Sequence, residues 1–72
     1  MAATVDARGL SCPQPVIMTL DEIKKGSDAE LIVLVDTDTS KENVTRAAES
    51  QGCRINAVSP EGRGYRITIT KG

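Results

Sequence analysis

Apolar positions along this chain change spacing several times, and the changes mark out six elements. Thr4 to Ala7 reads as a short first strand, broken by Gly9. From Val16 the spacing lengthens: Val16, Leu20 and Ile23 recur at intervals of four and three, and Ile17 and Met18 widen the stripe. That is the signature of an amphipathic helix. Lys24 and Lys25 put positive charge in its last turn and Gly26 stops it, so the pattern predicts a helix over Pro13 to Lys25. "ELIVLVD", Glu30 to Asp36, is short, aliphatic and β-branched, as a central strand requires. In "TDTSKEN", Thr39 and Glu42 have the spacing of a capping box, with Val44, Ala47 and Ala48 as the inward stripe of a second helix that Gly52 ends. Cys53 to Val58 predicts a strand and Pro60 to Gly64 a turn. In the last strand Tyr65, Ile67 and Ile69 alternate with Arg66, Thr68 and Thr70, giving one buried and one wetter face.

The order is therefore β-α-β-α-β-β. Two helices and four strands are best accommodated as an α/β two-layer sandwich, both helices on one face of a four-stranded mixed sheet. Right-handed crossovers place them together on that face. With 72 residues and neither Trp nor Phe, residues 1–72 make a single domain whose core is built from Ile, Leu, Val, Met and Ala.

Nine Lys and Arg against ten Asp and Glu leave a formal net charge of -1. That balance argues against direct nucleic-acid binding, as does the expected absence of exposed aromatic residues for base stacking in a chain with a single Tyr. Neither a secretory signal pattern nor an apolar run of roughly 18 residues is visible, so the expectation is a cytoplasmic protein off the membrane. The two cysteines, Cys12 and Cys53, are then expected to be free thiols. There is no His, which removes the usual zinc sets and Cys-His or Ser-His-Asp catalysis. Asp36 and Asp38 suggest a carboxylate pair, but they flank a loop after a strand and have no partner ligands, so neither a metal nor an acid-base role is expected of them; no cofactor is expected either. "EGRG", Glu61 to Gly64, has the glycines of a tight turn rather than of a phosphate loop.

One stretch carries candidate chemistry: "DARGLSCPQPVIMTL", Asp6 to Leu20. Proline is favoured at the first helical position, and the residue before it is pushed to extended geometry. Pro13 is thus expected to open the helix with Cys12 as its cap, and Pro15 is still tolerated in the first turn. A sulfur placed there faces the positive end of the helix dipole and free N–H groups, which favour thiolate over thiol. A persulfide, also anionic, gains the same support. Gly9 allows the incoming loop a shape closed to other residues, and Arg8 adds positive charge nearby. The same pattern also suits a buried, inert cysteine at a purely architectural helix start, and local sequence leaves both readings open. For Cys53, after Gly52, buried packing is the favoured reading.

The stretch closely resembles the signature of the TusA/SirA-like sulfurtransferases, including YedF-like members: an acidic residue, Gly-Leu, then Cys-Pro-x-Pro entering the first helix. Asp6, Gly9, Leu10, Cys12, Pro13 and Pro15 occupy those positions. The expected element order matches that family over essentially the whole chain. The resemblance implies a sulfur carrier in which Cys12 accepts sulfane sulfur as a persulfide and passes it on, with Asp6, Arg8, Gly9, Leu10, Pro13 and Pro15 supporting the reactive loop. It implies a sulfur-donor protein, such as a cysteine desulfurase or a rhodanese-like protein, and a downstream acceptor protein, in a relay toward tRNA thiolation or another sulfur-trafficking pathway. Exposed apolar residues near Cys12, Leu10 or Met18, are candidates for the docking surface, with a place in the core as the alternative for each. The alternative is a regulatory or structural binding module that keeps the scaffold without the chemistry.

Overall fold

The computed structural model describes residues 3–10, 13–25 and 30–70. Six elements follow in the expected order: β1 (Ala3–Asp6), α1 (Gln14–Lys25), β2 (Glu30–Val35), α2 (Asp38–Ser50), β3 (Arg54–Glu61) and β4 (Gly64–Thr70). They form a two-layer sandwich on one four-stranded sheet of order β1-β2-β4-β3. β1 lies parallel to β2, whereas β4 runs antiparallel to both β2 and β3.

The chain progresses across the sheet in one direction, from β1 to β2 and then past β4 to β3. Both helical connections therefore link strands of the same direction and fall on the same face. There α1 packs over β1 and β2, α2 packs over β3 and β4, and the helices touch one another. Between helices and sheet lies an aliphatic core of Val5, Ala7, Leu31, Val33, Val35, Val44, Ala48, Cys53, Ile67 and Ile69. Alternation in β2 and β4 does this work directly: Leu31, Val33, Val35, Ile67 and Ile69 are all fully buried.

The ends of the helices follow from local chemistry. Thr37, extended at φ -135°, caps α2 by accepting the Ser40 N–H on Oγ1 at 3.0 Å, and its carbonyl accepts the Lys41 N–H. The expected cap at Thr39 is thus displaced two residues: Thr39 already lies inside the helix. At the other end the Cys53 N–H reaches the Ala48 carbonyl at 3.1 Å and the Gly52 N–H reaches Glu49 at 3.0 Å, the paired bonds of a Schellman motif. That motif brings its two flanking side chains together over the core, and Ala48 and Cys53 are both buried. Packing is the role Cys53 was expected to have.

Two other expectations shift. The strand beginning near Cys53 does not stop at Val58 but continues through Pro60 to Glu61, with Pro60 opposite Tyr65 and the turn confined to Gly62 and Arg63. Proline is tolerated because β3 is an edge strand, where a missing N–H breaks no ladder. In α1 the fully buried positions are Pro15 and Thr19, with Val16, Met18 and Ile23 partly buried beside them, while Ile17 is 46% exposed. The helix is rotated relative to its apolar stripe. Thr19 enters the core because its hydroxyl donates to the Pro15 carbonyl at 2.8 Å, leaving no unpaired polar atom. Among the described residues no helix is long and apolar enough to cross a membrane.

Candidate functional site

Because β1 and β2 are parallel, the loops that follow them leave the same end of the sheet side by side. β1 extends into its loop by one more ladder bond, from the Ala7 N–H to the Leu34 carbonyl at 2.9 Å. The chain then turns over Ala7, Arg8, Gly9 and Leu10. Gly9 has φ +78°, the value a type II turn demands at its third position and one that side chains resist. The closing contact, Leu10 N–H to Ala7 carbonyl, is long at 3.4 Å.

Carboxylates supply the rest of the hold. Asp6 Oδ1 accepts the Arg8 backbone N–H at 3.2 Å and Arg8 Nε at 2.9 Å, and Oδ2 accepts Nη2 at 2.8 Å. The two-pronged geometry is charge-assisted and directional. Hydrogen bonding from the Arg8 guanidinium and then from its backbone N–H brings the Asp6 carboxyl from 3.8 down to about 2. Arg8 is in turn pushed further above its ordinary value, first by the bond to Asp6. The charge expected from Arg8 is therefore spent on Asp6. The third N–H of the turn, that of Gly9, donates to Asp36 Oδ2 at 2.7 Å, across 27 residues of sequence.

Beyond the turn, Ser11 and Cys12, the latter the expected cap and reactive thiol, lie outside the described residues. Pro13 follows, exposed, and its carbonyl accepts the Ile17 N–H at 3.0 Å, the first bond of α1. Pro13 thus stands at the flanking position that the sequence suggested for Cys12, and Gln14 opens the helix. Pro15, by contrast, is fully buried under the first turn. The site residues divide cleanly. Asp6, Arg8 and Gly9 build the turn, Pro13 and Pro15 seat the helix, and Leu10 (37% exposed) and Ile17 leave apolar surface to either side of the Cys-Pro-x-Pro segment.

Asp36 is the residue that sequence reasoning passed over. Its sequence neighbour in the carboxylate pair goes elsewhere: Asp38 accepts a short hydrogen bond from the Tyr65 hydroxyl, which raises the tyrosine above its ordinary range. Lys41 Nζ sits 4.5 Å from the centre of the same ring. The two aspartates serve two loops and do not converge. Cys53, just before β3, lies at the opposite end of the sheet from the turn, beside the strand ends that carry Thr70 and Glu30. It lines an open depression of about 550 Å3 with Glu49, Arg54 and Asn56.

The family model for sulfurtransferase TusA matches residues 3–71. The chain belongs to this family. Sulfur carriage and transfer are the characteristic function of the TusA/SirA group. A crystal structure of a SirA-like protein from Desulfitobacterium hafniense superposes with a TM-score of 0.84 at 32% identity, covering 100% of this chain and 99% of that one. An uncharacterised protein of Methanocaldococcus jannaschii is 30% identical over 70 residues, or 96% of this chain. The chain spans 26% of that relative's length.

Proposed function

We propose that this TusA-family chain is a persulfide carrier acting through Cys12. The supporting observation is the built frame on either side of that residue: a turn held by Asp6 and Asp36 before it and a proline-seated helix start after it. Cys12 thiolate attacks the terminal sulfur of a donor protein's persulfide. A bond forms between Cys12 Sγ and that sulfur, the donor's S–S bond breaks, and the donor cysteine leaves as thiolate. An acceptor thiolate then repeats the exchange and returns Cys12 to thiolate. Sulfane sulfur moves at each step with no net oxidation, so neither an internal imidazole base nor a redox cofactor is required.

Donor and acceptor are proteins of a sulfur relay. A cysteine desulfurase or a rhodanese-like protein fits the donor role, and tRNA thiolation or another sulfur-trafficking pathway lies downstream. Leu10 and Ile17, both exposed, provide apolar docking surface. Cys53, buried and at the other end of the sheet from the turn, takes no part as a resolving thiol.

Intact mass after incubation with a cysteine desulfurase and cysteine tests this reading. The expected result is a gain of about 32 Da, reversed by reductant, retained in Cys53→Ser and lost in Cys12→Ser. Absence of the adduct with several donors, while Cys12 still reacts with an alkylating reagent, would leave a binding module without the chemistry.

A further inference from the structure

The turn before Cys12 has three consecutive backbone donors and three different acceptors. Arg8 N–H goes to Asp6 and Leu10 N–H makes a long contact to Ala7, both within the same loop. Only the Gly9 N–H is held from outside, by Asp36 of the β2–α2 loop, and at 2.7 Å that bond is the shortest of the three. The turn is therefore tied to the rest of the molecule at two points: the Ala7 ladder bond to Leu34, and Gly9 to Asp36.

The Asp36 backbone is itself closely packed. Asp36 follows the fully buried Val35, and its backbone lies against Gly64 at the start of β4. A Cβ on Gly64 would stand 2.6 Å from the Asp36 Cα and 2.0 Å from the Val35 carbonyl oxygen. The close approach of β4 thus sets where the Asp36 backbone sits, and its carboxylate carries that position to Gly9. Arg8 feels the charges of Glu61 and Asp36 in addition to Asp6, and Glu61 is itself paired with Arg66 at 4.0 Å.

We propose that Asp36 is a positioning residue for the Cys12 thiol: by holding the Gly9 N–H it fixes the turn from which the chain enters Cys-Pro-x-Pro. Cys12 is three residues beyond Gly9, and its approach to the start of α1 begins from this tether. Asp36 touches neither sulfur nor donor in this scheme. It acts through the backbone, and its acceptor oxygen matters more than its charge. The inference rests on the reading of Cys12 as the carrier thiol, but its test does not need a sulfur donor.

The test is the pH dependence of iodoacetamide alkylation at Cys12, followed by peptide mass, together with amide exchange at Gly9 by NMR. Asp36→Asn keeps an acceptor oxygen at the same reach without the charge. Asp36→Glu keeps the charge one methylene too far out, and Asp36→Ala removes both. Asp38→Ala serves as the control, removing a carboxylate bond at the same end of the sheet but none to the turn. In Asp36→Ala and Asp36→Glu, Gly9 amide protection falls while Val33 and Ile67 keep theirs. The alkylation profile then moves toward that of a free thiol, and the limiting rate changes by roughly tenfold. Asp36→Asn restores both readouts, and Asp38→Ala resembles wild type. Any one of three results overturns the proposal: an unchanged profile in Asp36→Glu, an Asp36→Asn variant as altered as Asp36→Glu, or an equal effect from Asp38→Ala. If wild-type Cys12 takes no sulfur from any donor while these profiles behave as expected, the carrier reading fails and the positioning role stands.

Discussion

Asp6 shows how one exposed side chain can organise a loop without contributing much to stability. Its bonds to Arg8 lower its pKa, so the ion pair is present in full above about pH 4 and is lost as pH falls toward 2. The folded value lies below the unfolded one, which fixes the sign: acid weakens the turn and alkali does not. The carboxyl carbon of Asp6 should titrate by NMR with a midpoint near 2, and in Arg8→Gln the midpoint should return toward 3.8. Because both side chains are more than half exposed, thermal stability at neutral pH should barely change in that variant. Gly64 is the opposite case, with a large effect and no chemistry. Gly64→Ala drives a methyl into the Val35–Asp36 backbone and should destabilise by about 1–3 kcal/mol in urea unfolding. An unchanged midpoint would mean that β4 can draw back from β2 at little cost.

At the scale of elements, each helix is defined by its ends more than by its middle. α2 depends on Thr37 at one end and the Gly52–Cys53 reversal at the other. Thr37→Ala should cost about 1 kcal/mol, and Thr37→Ser should recover most of it, measured by denaturant midpoint. Thr39→Ala, at the position that sequence spacing favoured, should cost less than Thr37→Ala. The capping-box pattern was legible, but two threonines in "TDTSKEN" offer competing starts. Which one caps is decided by where β2 ends, at Val35, leaving Asp36 to turn the chain. The edge strand β3 follows a similar logic. Its residues are almost all exposed, so hydrophobic alternation could not report its length, and pairing with β4 carries it past Pro60.

For the molecule as a whole, a chain of this size has about 4–11 kcal/mol of stability to work with. Its core is aliphatic and thin, and Ile67 and Ile69 of β4 occupy the centre of it. Ile67→Ala should cost about 2–5 kcal/mol and bring a large part of the population to the unfolded state, visible as lost ellipticity at ambient temperature. Fold and function separate at this level. Cys12→Ser should leave that core and its unfolding midpoint at the wild-type value while removing sulfur loading, whereas Ile67→Ala should lower both.

Element order, the inward faces of β2 and β4, the closing of α2 at Gly52 and the family signature from Asp6 to Pro15 were all determined by the sequence itself. Each is written in spacing along the chain, where a side-chain period or a local turn preference acts over a few residues. Tertiary structure decided the strand order β1-β2-β4-β3, the rotation that buries Pro15 and Thr19 while exposing Ile17, and the necessity of glycine at position 64. It also decided the role of Asp36, which in sequence is an acidic residue after a strand and in the fold reaches a turn 27 residues away. The physical reason is common to all of these. They depend on which strands lie side by side, and that is settled by packing one aliphatic layer against another, not by any residue's neighbours in sequence.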